Sequence, residues 1–283
     1  LILVVLGMFS GLTDVLVNAR VSDLEAQHRR TLMNVNHATF SFAYAAAAVA
    51  AGIGREAGLP PVAILAMPAA LCLALIPTMA IRPAAEEDDA PGAPLAAGVG
   101  TVILVCGLIV LAGFGAEAAV ESWSALHVER TLGGGAAEGA LGPAMLGLTM
   151  GIGRLSGQLV AEKLRDVVVL RWAAVMTAAG ALIAATAQGP AMAYVGFAVA
   201  GLGVSVIGPL GLARAGRLVP ARLRTRAIAR AAVLGFCGFF VAPPAMGLMA
   251  EFAGLRMAFA GIAVFVLMTI PLVALLRRLA PEA

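Results

Sequence analysis

Three carboxylates in this chain stand where an ionised group is expensive. Asp14 lies in the apolar run LILVVLGMFSGLTDVLVNAR, with Asn18 four residues later, and Glu117 and Glu121 lie four apart in GAEAAVESWSAL. A spacing of four puts both members of each pair on one helical face. A carboxylate at the centre of a bilayer costs about 2.5–3.5 kcal/mol on insertion scales, so such a group must face protein, a cavity or a counter-charge. The chemistry open to it is the binding and release of a proton. Asp14 is read as a group that titrates in a cavity and couples proton movement to a solute. The competing reading makes it interfacial and paired with Arg20 or Arg29. Glu117 and Glu121 are read as cavity residues, against a plain position near the outer end of their span.

Other polar residues extend the candidate site. His37, Ser41 and Tyr44 fall at i, i+4 and i+7 on an otherwise Ala-rich helix, a stripe that either lines a cavity or makes interhelical hydrogen bonds. Trp123 is either a ring on which a substrate stacks or an anchor at the membrane interface. Arg154 lies about two turns inside the cytoplasmic end of its span, where snorkelling to the surface is expected ahead of pairing with a carboxylate. Cys72, Cys106 and Cys237 sit in apolar runs without metal-ligand spacing and read as packed free thiols. No metal or cofactor site is implied.

The elements that must position these residues are membrane helices. The chain has 283 residues, 61% of them hydrophobic and 12% charged, against about 25% charged in water-soluble proteins. Apolar runs of about twenty residues recur and predict nine spans, roughly 1–19, 33–54, 60–81, 97–127, 139–162, 168–187, 190–213, 228–250 and 255–276. The short turns at Gly58-Leu59-Pro60-Pro61 and Gln188-Gly189-Pro190 make their flanking helices antiparallel neighbours.

The basic residues sort by side. Arg20, Arg29, Arg30, Arg82, Lys163, Arg165, Arg171, the arginines from Arg214 to Arg230, Arg277 and Arg278 share one side, fifteen in all; only Arg55, Arg130 and Arg256 fall on the other. This asymmetry places the C-terminus in the cytoplasm of a multi-pass inner-membrane protein. It also accounts for the net charge of +3 without nucleic acid, because the arginines are loop charges with no interleaved aromatics. The segment RPAAEEDDAPGAP, Arg82–Pro94, is acidic and rich in proline, the makeup of a flexible linker. It divides the chain into a partial N-terminal half, residues 1–81, a cytoplasmic linker, 82–96, and a six-helix C-terminal half, 97–283.

A faint repeat bears on the odd number of spans. Gly11-Leu12 and Gly201-Leu202 are 190 residues apart, and GIGREAGLPPVA (Gly52–Ala63) is similar to GLMAEFAGLRMA (Gly247–Ala258). Spans one to three then correspond to spans seven to nine. The sequence is expected to lack three preceding helices, roughly 90 residues, of a protein built from two parallel six-helix halves.

The motifs resemble those of the major facilitator superfamily, in the sugar-permease-like branch that includes fucose permease. The resemblance rests on GLTDVLVNAR with LMNVNHATFSFA, on GAEAAVESWSAL, and on GIGRLSGQLVAEKLRD, which is similar to the superfamily's loop signature. That last segment departs from the signature: Arg165 stands where a glycine is expected and Asp166 where a base is expected. The resemblance implies an all-α bundle in which the first, fourth and seventh spans line a central cavity. It implies a monomeric secondary transporter that moves a small, possibly sugar-like solute by alternating access with protons as the coupling ion, its partners being that solute, protons and the lipid bilayer. A non-transporting paralogue acting as a solute-binding sensor is the alternative. An enzyme is not expected, because no nucleophile elbow, HExxH, CxxC or phosphate loop is present; Gly133-Gly134-Gly135 follows no strand and reads as a turn.

Overall fold

The computed structural model describes residues 2–28, 32–78, 98–161, 164–220 and 223–280. Every regular element among them is helical. In order these are α1 (Ile2–His28), α2 (Met33–Glu56), α3 (Pro61–Leu75) with a 3-10 turn at Ile76–Thr78, α4 (Val99–Leu126) running into a π-helical turn at His127–Thr131, α5 (Ala136–Ala161), α6 (Asp166–Thr186), α7 (Pro190–Val204), α8 (Ile207–Arg217), α9 (Arg224–Leu267) and α10 (Thr269–Leu279). The segment 82–96 read as a linker lies outside the described residues.

Among the described residues, six helical stretches are long and apolar enough to cross a membrane: Met33–Glu56, Pro61–Thr78, Val99–Thr131, Asp166–Thr186, Pro190–Arg217 and Arg224–Leu279. Nine spans were expected from the sequence, and the long stretches explain part of the difference. Arg224–Leu279 has 56 residues, which at about 1.5 Å per residue is far longer than the roughly 30 Å hydrocarbon core. It breaks at Gly254, whose φ of 82° and ψ of 163° leave the helical region. Gly58, in the segment that the repeat pairs with this one, also has positive φ, 74°. Both glycines sit in the sequence Ala-Gly-Leu, and both use the left-handed conformation that a Cβ would penalise.

Proline sets the smaller breaks. Pro209 is the third residue of α8 and Pro271 the third of α10. A proline ring clashes with the carbonyl four residues earlier and supplies no N–H, so the preceding helix stops just upstream, at Val204 and Leu267. Proline also opens α3 and α7, where the missing donor costs nothing.

The packed core belongs to α4 to α10. α4 lies at its centre against α5, α8, α9 and α10, and Ile109, Leu146, Leu170, Phe197, Ile207, Phe259 and Leu276 are fully buried around it. Between helices in lipid the attraction comes from close contact rather than from expelled water, which favours small residues at the seams. At the α4–α9 seam, a Cβ on Gly238 would stand 2.7 Å from the main-chain nitrogen of Gly115. α1 and α3 both pack on α2, and no residue of α3 is buried. α2 joins these N-terminal helices to the rest by lying along α5. Gly238→Val is therefore expected to force α4 and α9 apart at a cost of about 1–3 kcal/mol, read as a lower unfolding temperature of the detergent-solubilised protein.

Candidate charged site between three helices

α2 and α5 run antiparallel in close contact, and glycine makes the contact possible. A Cβ on Gly147 would stand 2.8 Å from the Tyr44 ring and 3.0 Å from the Ser41 carbonyl, and Gly151 faces the ring of Phe42. The buried residues of α2, which include Ala38, Ser41, Ala45 and Gly52, form the matching face. This approach brings the polar stripe of α2 within reach of Arg154 on α5.

Arg154 is the hub. Its Nη2 donates to Oε1 of Glu117 on α4 at 3.0 Å, and its Nη1 donates to Oγ of Ser41 at 2.5 Å and to the main-chain carbonyl of His37 at 3.3 Å. Ser41 Oγ in turn donates a hydrogen bond to the same His37 carbonyl at 2.9 Å. The side chains of Arg154 and Glu117 are 9% and 7% exposed, so this pair is largely buried. Snorkelling, expected for Arg154 from its depth in the helix, is therefore overturned: a carboxylate and a hydroxyl on two neighbouring helices hold Nη1 and Nη2 where they stand, while Nε makes no hydrogen bond among the described residues.

Glu121 follows Glu117 by one turn on the same face of α4 and feels the charges of both Glu117 and Arg154. Tyr44 of α2 feels both carboxylates in turn. The structure thus brings together His37, Ser41, Tyr44, Glu117, Glu121 and Arg154 from three helices. Trp123 is placed elsewhere. It occupies another face of α4, its Nε1 donates to the Pro243 carbonyl at 3.0 Å, and its ring lies over Gly247, pinning α4 to the proline pair of α9. It acts here as a helix–helix clasp rather than as a stacking ring or a free interfacial anchor. Asn18 is on α1, with its Oδ1 buried and making no hydrogen bond among the described residues. No hydrogen bond joins it to the Arg154 cluster among the described residues. Asp14 falls within α1, but its side chain lies outside the described residues. Of the cysteines, Cys106 is buried while Cys72 and Cys237 are exposed on helix surfaces, so the packed-thiol expectation fits only the first.

Three polar arrangements escaped the sequence. At the end of α4, fully buried His127 meets the Ala184 carbonyl through Nε2 at 2.9 Å and packs on Phe259, while Arg256 Nη1 donates to the Ala185 carbonyl at 3.1 Å. Both bind carbonyls in the last turn of α6, where backbone partners run short; the Ala184 carbonyl also accepts from the Ala187 N–H at 3.3 Å. At the neighbouring end of α2, Arg55 grips Glu129 with two bonds, 2.7 and 3.0 Å, and Glu56 Oε2 accepts from the main-chain nitrogen of Ala137 at the start of α5. On the opposite side, Asp166 pairs with both Arg214 and Arg217. This is the residue that departs from the expected loop signature, and the departure supplies an acid at the N-terminus of α6, where the helix dipole favours one. The three contacts join residues far apart in sequence, and only the departure at Asp166 was visible beforehand.

Long apolar helices packed through small residues, with an arginine–carboxylate pair held between them, define a polytopic helical membrane protein. Residues 160–283 match the family model of the Major Facilitator Superfamily. Over 272 residues the chain is 27% identical to an uncharacterised MFS-type transporter of Yersinia pestis, covering 94% of this chain and 69% of that protein. Over 280 residues it is 26% identical to an uncharacterised transporter of Sinorhizobium fredii, covering 96% and 72%. The fold is similar to that in the crystal structure of the E. coli fucose:proton symporter, with a TM-score of 0.58 and 20% identity over 76% of this chain; the match spans 53% of the symporter's length. The match to the Major Facilitator Superfamily thus covers the C-terminal part of the chain, residues 160–283.

The energetics of the hub can be measured by a double-mutant cycle. Arg154→Gln and Glu117→Gln each leave a charge without its partner in a poorly solvated place, which typically costs about 3–5 kcal/mol. The double variant is expected to lose less than the sum of the two, with a coupling of about 0.5–3 kcal/mol, read from unfolding midpoints in detergent.

Proposed function

We propose that the protein is a secondary transporter that moves a small solute across the inner membrane by alternating access, coupled to protons. The observation that carries this reading is the position of Arg154. α2 belongs to the helices before the acidic linker and α4 and α5 to those after it, so the bonds from Arg154 to Ser41 and the His37 carbonyl tie the two parts of the chain, while Glu117 holds the same guanidinium from within the later part. Moving a solute by alternating access requires that an event at a central site change how the two parts meet. A carboxylate–guanidinium pair whose guanidinium also holds the opposite part is suited to that task, because any change in the carboxylate's charge is felt at the seam.

The supporting frame is the nine-span arrangement with a cytoplasmic C-terminus, argued from the fifteen-to-three distribution of basic residues. The Arg224–Leu279 stretch crosses twice in this frame, turning at Gly254. Asp14 on α1 and the α4 carboxylates are the candidate groups for the proton, with Asn18 and His37 as candidate contacts for the solute. The E. coli neighbour is a fucose:proton symporter, which supports a sugar-like solute and protons as its coupling ion.

Uptake by the full-length protein in liposomes tests this, with labelled L-fucose and a set of related hexoses as probes. The expected result is accumulation driven by an acid-outside pH gradient and abolished by a protonophore, with Arg154→Ala reduced to the level of protein-free liposomes. Binding of a probe without any flux would instead identify a solute-binding sensor.

A further inference from the structure

Glu117 and Glu121 share one face of α4 and one cation, Arg154. The two carboxylates are not equivalent. Glu117 takes the guanidinium at 3.0 Å and is buried with it. Glu121 makes no hydrogen bond or ion pair among the described residues and is only partly buried. The charged groups acting on it are Glu117 on its own helix and Arg154 on α5, and Tyr44 faces both carboxylates from α2. Arg154 directs Nη1 at Ser41 and the His37 carbonyl and Nη2 at Glu117, and its buried Nε makes no hydrogen bond among the described residues.

Counting charges then leaves one negative group of the pair without a counter-charge of its own. Two carboxylates within one turn cannot both stay ionised against a single guanidinium without a second positive charge. The one that holds the arginine keeps its charge. The other must meet a cation that comes and goes, and the smallest such cation is the proton.

We propose that Glu121 is the group of this site that takes up and gives back the coupled proton, and that Glu117 stays ionised as the fixed partner of Arg154. The step is a simple protonation. A carboxylate oxygen of Glu121 gains a proton from water on one side of the membrane and returns it to water on the other, while the Glu117–Arg154–Ser41 contacts stay in place. This assignment rests on the transporter reading for its purpose, but not for its measurement. It also separates Glu121 from Asp14, the other membrane carboxylate open to the same role.

Infrared difference spectroscopy of the full-length protein in lipid tests the assignment without any solute. A carboxyl band that appears and disappears with pH is expected in the wild type and in Glu117→Gln, and is expected to be absent from Glu121→Gln. A band that survives in Glu121→Gln, or that vanishes only in Glu117→Gln or Asp14→Asn, overturns the proposal. In the liposome assay, Glu121→Gln is expected to lose pH-driven accumulation while keeping solute exchange across the membrane. Gradient-driven accumulation that persists in this variant overturns it equally. Loss of the exchange reaction as well, with a normal infrared result in the wild type, assigns Glu121 to solute binding and overturns the coupling role. An absence of all flux in the wild type would count against the transporter reading, while the infrared result would still decide which carboxylate binds the proton.

Discussion

A guanidinium that cannot reach water has to be satisfied where it stands, and that constraint shapes the middle of this protein. Arg154 keeps its charge under all ordinary conditions. Between helices it therefore needs an anion and additional acceptors at fixed positions. Glu117 provides the anion from α4, and Ser41 and the His37 carbonyl provide the acceptors from α2. Three helices are fixed relative to one another by the needs of one side chain. A pair of this kind is a poor source of net stability, because removing two charges from water costs about as much as their attraction returns. Its value is geometric: few other arrangements of the three helices would satisfy the same atoms.

The close approach of α2 to α5 is the condition for that arrangement. Gly147 and Gly151 give up side-chain volume where Tyr44, Ser41 and Phe42 press against α5. Larger residues there would hold Ser41 out of reach of Arg154. The same device recurs at the α4–α9 seam, where Trp123 adds a hydrogen bond to a proline-rich stretch of backbone. Small residues set the distance and a few polar side chains fix the register. That division of labour is expected where the surrounding lipid supplies no hydrophobic drive for helices to associate.

Charged contacts at the helix ends frame the central site. Arg55–Glu129 and the Glu56 contact to α5 join α2 to the later helices at one end, and they are far more exposed than the hub, with Arg55 48% exposed. Exposed pairs of this kind contribute about 0–1 kcal/mol. They are cheap to break, whereas the Arg154 contacts are not. The contrast fits the alternating access proposed above, in which helices part at the membrane surfaces while the centre stays defined. Asp166 with Arg214 and Arg217 fastens α6 to α8 on the other side.

Helical periodicity made several of these features legible from the sequence alone. The faces carrying Glu117 with Glu121, and His37 with Ser41 and Tyr44, follow from spacing along a single helix. The membrane class follows from apolar length, and the Ala-Gly-Leu breaks at Gly58 and Gly254 are local backbone effects. Partners across helices were not legible. Nothing local in the sequence says that Arg154 meets Glu117 rather than the membrane surface. Nor does anything say that the Trp123 indole ends on a carbonyl of α9, or that His127 closes the end of α6. Those outcomes depend on which small residues let which helices touch, and at what rotation. The sequence determined which residues share a helix face; the packing of α2, α4 and α5 decided which faces meet, because a contact across helices is set by interhelical distance and angle, which no single helix contains.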